Sequence, residues 1–107
     1  LVDGHNDLPW AVRGAARPHD VAAYDLRTRT PGHTDLPRLR QGMVGGQFWS
    51  VYVPSTVGDT GFARVQLEQI DIARQIIERY PELEWALTAD AIRRAHAAGK
   101  IGSLLGM

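Results

Sequence analysis

A histidine and an aspartate separated by one residue, His5 and Asp7, follow a short apolar start in Leu1-Val2-Asp3-Gly4-His5-Asn6-Asp7-Leu8-Pro9-Trp10. Successive side chains of an extended backbone alternate faces, so this spacing turns His5 and Asp7 to one side and Asn6 to the other. One imidazole nitrogen and one carboxylate oxygen then address a common point. Such a pair suits Zn²⁺ or a similar borderline divalent ion, which takes N and O donors at about 2.0–2.2 Å. Pro9 is expected to close the segment by removing a ladder donor and holding Leu8 extended. Read alone, the same residues also describe a loop in which Asp7 caps a turn and His5 is solvated. His33-Thr34-Asp35 repeats the spacing at a helix start, where a capped turn is the better reading, and His19 and His96 are assigned no role.

The elements that must position this pair can be read in order. Residues 11–45 carry no sustained period and hold Gly14, Pro18, Pro31, Gly32 and Pro37, which predicts a long loop with one short helix from an N-cap at Thr34 to Gly42. Gln47-Phe48-Trp49-Ser50-Val51-Tyr52-Val53, bounded by Gly45-Gly46 and Pro54, predicts a strand apolar on both faces, as a parallel strand covered on two sides would be. The two glycines read as backbone fitting, where a Cβ would crowd the loop. From Thr60 to Tyr80 the period becomes helical, with Phe62, Val65, Ile70, Ala73, Ile76, Ile77 and Tyr80 on one stripe. Asp59 or Thr60 serves as its N-cap and Pro81 stops it. Leu83–Leu87 is a short extended piece. Thr88 caps a second helix that Gly99 ends, and Ile101–Met107 is a last strand. Strands alternating with helices indicate α/β with a parallel sheet.

With 107 residues, 44% of them hydrophobic, no cysteine and no net charge, the composition is that of a globular protein without a disulfide scaffold. Zero net charge argues against a nucleic-acid partner or an anionic membrane surface, both of which require clustered Lys and Arg. No apolar run approaches the ~18 residues that span a bilayer. Lys100 is the only lysine among many arginines, and alanine is abundant. That bias leads to the expectation of a bacterial, cytoplasmic protein. Leucine rather than methionine at position 1, and an apolar strand at the other end, lead to the expectation that both termini are cut.

Beyond spacing, three blocks carry a resemblance. Asp3-Gly4-His5-Asn6-Asp7-Leu8-Pro9-Trp10, then Asp35-Leu36-Pro37-Arg38-Leu39-Arg40, then Gly45-Gly46-Gln47-Phe48-Trp49-Ser50-Val51-Tyr52-Val53-Pro54 resemble the renal (membrane) dipeptidase family of zinc peptidases, and the likeness runs from Leu1 to Met107. It implies that residues 1–107 are the incomplete N-terminal portion, about three strands, of a (β/α)₈ TIM-type barrel, which as a whole needs about 250 residues. It further implies two zinc ions, with His5 and Asp7 among the ligands of one, and hydrolysis of dipeptides, including those with a C-terminal D-residue, by a metal-activated hydroxide. Trp10 and Tyr52 become candidates for the wall of the substrate pocket, against the alternatives of a plug in the barrel mouth for Trp10 and a locally bonded core side chain for Tyr52. The full-length protein is a candidate homodimer. The family's bridging glutamate would be the residue after Met107, so no catalytic residue is assigned within the chain, which is expected to be inactive alone. The competing functions are another metal-dependent amidohydrolase on the same barrel and a metal-free binding homologue.

Overall fold

The computed structural model describes residues 1–58 and 61–107. Four parallel strands form one sheet: β1 (Val2–Asn6), β2 (Gly46–Ser50), β3 (Leu83–Trp85) and β4 (Ile101–Gly106), in the spatial order β1-β2-β4-β3. Among the described residues four helices accompany them, α1 (Leu8–Arg13), α2 (Leu36–Gln41), α3 (Phe62–Arg79) and α4 (Ala89–Ala97), with one 3₁₀ turn at Ser55–Val57. The short piece after Pro81 is thus a fourth strand, one more than the sequence suggests. It lies outside β4, pairing Leu83 with Ile101 and Trp85 with Ser103.

That order dictates where the helices go. Right-handed crossovers carry α3 over one face as the chain steps from β2 past the β4 position to β3. The return step to β4 runs the opposite way, which places α4 on the other face. The packing agrees. Leu8 and Val12 of α1 and Ile72, Ala73, Ile76 and Ile77 of α3 share one core with Trp49, Val51 and Ile101. Helix α4 meets the glycines of the opposite face: a Cβ on Gly46 would stand 3.0 Å from Ile92 Cγ2, and one on Gly102 would stand 3.0 Å from Ile92 Cα. A Cβ on Gly45 would come within 2.7 Å of His96 Nδ1. These glycines do serve close approach, but to a helix rather than within a loop.

Several local expectations change. Residue 8 opens helix α1 instead of remaining extended. Pro9 lies in its first turn, where the missing N–H is one of the groups a helix leaves unpaired anyway. Pro9 does end the strand, but by starting a helix, so the long loop shrinks to residues 14–35. The N-cap of α2 is Asp35, whose side chain accepts from the Arg38 N–H, and not Thr34. Helix α3 adds Gln69 and Ile72 to the buried stripe, Ile70 packs against its edge half-buried and Phe62 is exposed, because the stripe runs through Val65, Gln69, Ile72, Ala73 and Ile76, and a polar residue at position 69 hides that phase. The cap assigned to Asp59 or Thr60 lies outside the described residues. Thr88 caps α4 by accepting the Ala91 N–H at 3.1 Å, and Gly99, at φ +73°, ends it.

The contact of α4 with the sheet gives a first test. Because the obstruction at Gly102 is backbone, no rotamer change can relieve it. Gly102→Ala should lower unfolding free energy in urea by about 1–3 kcal/mol. Gly4→Ala, where a Cβ meets nothing within 4 Å, should change it by less than about 0.5 kcal/mol.

Candidate functional site

The imidazole and the carboxylate meet at the C-terminal end of β1, with His5 Nε2 3.0 Å from Asp7 Oδ1. Strand alternation is not what brings them together. The pairing of β1 with β2 slips between Asp3 and Asn6. Asp7 lies beyond the strand, at φ −83° and ψ 21°, in the N-cap position of α1 but making no side-chain cap bond. The turn is set instead by Asn6, whose Oδ1 accepts the Leu8 N–H at 3.1 Å. The side chains of His5 and Asp7 are 66% and 62% exposed, so both remain open to a ligand.

Two donors held by one zinc ion at about 2.0–2.2 Å and about 90–110° stand about 2.8–3.6 Å apart. The His5–Asp7 separation falls within that range, and an N/O set is chemically suited to zinc. The pair therefore fits one side of such a site. Among the described residues no group of three or more His, Cys, Asp or Glu side chains gathers around a common point. The described residues thus bring together two groups able to donate to zinc, where a zinc site takes three protein ligands or more.

A cleft of about 470 Å³ adjoins the pair, lined among others by Asp3, Asn6, His33, Thr34 and Arg38. The cleft contains His33, which sequence reading confined to a capped turn. A larger hollow of about 910 Å³ lies between the end of α1 and the loop through Pro31, but neither His5 nor Asp7 touches it. The smaller one is lined by both side chains. Among the described residues neither Trp10 nor Tyr52 lines it. Trp10 sits on α1, 36% exposed, with the Arg13 guanidinium carbon 5.8 Å from its ring centroid. Tyr52 lies two residues beyond β2, 54% exposed, its N–H donating to Ser50 Oγ at 3.4 Å.

The far wall of the cleft is held by a buried carboxylate. Asp35 accepts from the Arg38 backbone N–H at 2.9 Å, from Arg38 Nε at 2.7 Å and from the Thr30 N–H at 3.3 Å. Arg38 Nη2 in turn donates to the Gly32 carbonyl at 2.7 Å. Burial pushes the Asp35 carboxyl up, but the hydrogen bonds from Arg38 and Thr30 and the Arg38 charge outweigh it and hold the group below its ordinary range. Thr34 closes the wall onto β1 by donating its hydroxyl to Asn6 Oδ1 at 3.0 Å. The roles of Asn6, Thr34 and Gln47 were not read from sequence. Asn two residues before the first helical N–H was the available signal, since Asn side chains mimic a backbone turn.

A parallel sheet with open polar groups at the C-terminal end of a strand is the arrangement of α/β enzymes, which bind substrate at that end. The family model described as membrane dipeptidase, peptidase family M19, matches residues 1–107, so the chain belongs to that family. Two relatives named Dipeptidase 3, from mouse and rat, are each 43% identical over all 107 residues. The chain spans 21% of the length of each. The family description and the relatives' names are those of dipeptidases. They also overturn the expectation of a bacterial cytoplasmic protein: the relatives are mammalian, and the family description points to a membrane-associated or secreted protein. Arginine and alanine content follows the base composition of coding DNA and carries no information on compartment. No helix among the described residues is long and apolar enough to cross a membrane.

The Asp35 cluster predicts a pH response. A carboxyl whose folded pKa lies below the ordinary value of 3.8 contributes stability that is complete above that value and lost as pH falls through the lower folded one. Asp35→Asn should be less stable than the wild type by about 2 kcal/mol at neutral pH, and the difference should shrink on acidification below pH 3.8. Urea unfolding at a series of pH values checks both.

Proposed function

We propose that the longer protein of which this chain is the opening portion is a zinc-dependent dipeptidase, built on a (β/α)₈ barrel whose first strands are β1, β2 and β4. The observation that carries the proposal is the 3.0 Å approach of His5 Nε2 to Asp7 Oδ1 at the C-terminal end of β1. His5 and Asp7 would hold one metal ion, with the remaining ligands, including those of a second ion, supplied by later strands. When bound, zinc supplies Lewis acidity, bringing the pKa of a water near neutrality and offsetting the negative charge that builds on the scissile carbonyl oxygen.

The chain's own residues orient and enclose. The turn after β1 aims both donors out of the sheet end, and the wall braced by Asp35 and Arg38 limits the approach from one side. Trp10 and Tyr52, exposed beyond the ends of β1 and β2, offer apolar surface to a substrate side chain. Dipeptides with a C-terminal D-residue fall within the proposed substrate range. A homodimer of the full-length protein is part of the same proposal.

On this reading the 107-residue chain neither binds zinc tightly nor hydrolyses dipeptides. Calorimetric titration with zinc should show no submicromolar stoichiometric binding. Such binding, lost in Asp7→Ala, would contradict the two-donor account. In the longer protein His5→Ala and Asp7→Ala should each lower kcat/KM for dipeptides at least about a hundredfold, and activity undiminished in either variant would rule out the pair as zinc ligands.

A further inference from the structure

His5 and Asp7 are both mostly exposed, and among the described residues each side chain has only the other as a polar partner. Among the described residues no side chain outside the pair bonds to either side chain, so their approach is inherited from the backbone of residues 5–7, where the His5 N–H donates to Asp3 Oδ1 at 3.3 Å and the Asp7 carbonyl accepts from the Ala11 N–H at 3.0 Å. The residue between them adds three side-chain hydrogen bonds. Asn6 Oδ1 accepts from the Leu8 N–H at 3.1 Å and from the Thr34 hydroxyl at 3.0 Å, and Asn6 Nδ2 donates to Gln47 Oε1 at 3.4 Å. Gln47 is fully buried, and its Nε2 donates to Asp3 Oδ2 at 2.9 Å and to the Phe48 carbonyl at 3.1 Å. One amide thus ties the end of β1 to the start of α1, to the loop before α2 and to β2.

We propose that Asn6, anchored by Thr34 and Gln47, is the positioning residue that presents His5 and Asp7 as a preformed donor pair. The proposal rests on reading that pair as zinc ligands. Its physical content is preorganisation: donors already in register give up less freedom when a cation joins them, and partners that orient ligands typically carry a tenfold or larger share of metal affinity. Asn6 acts through the backbone and touches neither metal nor substrate.

The test uses the isotope-labelled full chain, with zinc alone as the probe. In the metal-free protein, three-bond couplings should show one χ1 rotamer each for His5 and Asp7. In Asn6→Ala and Thr34→Val the rotamers should average, and in Thr34→Ser, which restores the hydroxyl, they should return to one. Zinc should perturb the His5 ring signals, with the midpoint moved about tenfold higher in Asn6→Ala. Near-UV circular dichroism checks that each variant keeps its fold, and if Asn6→Ala does not fold, Thr34→Val decides. Rotamers that stay fixed in the folded variants overturn the proposal. Zinc that leaves the wild-type His5 ring of the longer protein unperturbed, while the rotamers respond as stated, refutes the metal reading and leaves the positioning role standing.

Discussion

Every strand in this sheet runs the same way, so the chain must leave each one and return to the far end before it can pair again. That requirement, together with the right hand of the crossovers, accounts for most of the architecture. It places α3 and α4 on opposite faces and buries β2 from both sides. It also gathers the C-terminal ends of β1, β2 and β4 at one end of the sheet. His5, Asp7, Trp10 and Tyr52 lie at or beyond the strand ends on that side of the sheet. Glycine at positions 46 and 102 is the counterpart of this arrangement, because α4 approaches the sheet more closely than side chains would allow.

The parts of this fold that were legible in the sequence are those governed by a repeating pattern. Helix α4, with Thr88 and Gly99 at its ends, and the buried character of β2 follow directly from spacing and capping chemistry. The parts that were not legible turn on a single residue with two meanings. Pro9 breaks a ladder and equally opens a helix, and only the tertiary contacts of Leu8 and Val12 select the second use. Gln69, a polar residue, lies in the core, where hydrophobic periodicity does not place it. For the short strand β3, three residues of pairing leave too little pattern to distinguish a strand from a turn.

The candidate site shows the same division. The residue types of His5 and Asp7 were enough to single them out, yet the reason they meet is different from the one that spacing supplies. Alternation would need residues 5–7 to be regular strand, and the register slip and the conformation of Asp7 rule that out. A side-chain amide provides the turn instead. The bracing of the opposite wall by Asp35 and Arg38 joins residues that are distant from β1 in sequence, so no local pattern announces it.

Strand β3 covers only the first half of β4. Its pairing ends at Ser103, and beyond it the outward-facing backbone groups of Leu104–Gly106 have no strand alongside among the described residues. Any additional strand laid against that flank must therefore sit displaced toward the sheet's C-terminal end by about the length of three residues, roughly 10 Å. A stagger of that kind is what inclines strands to the axis when a sheet curls round to meet itself.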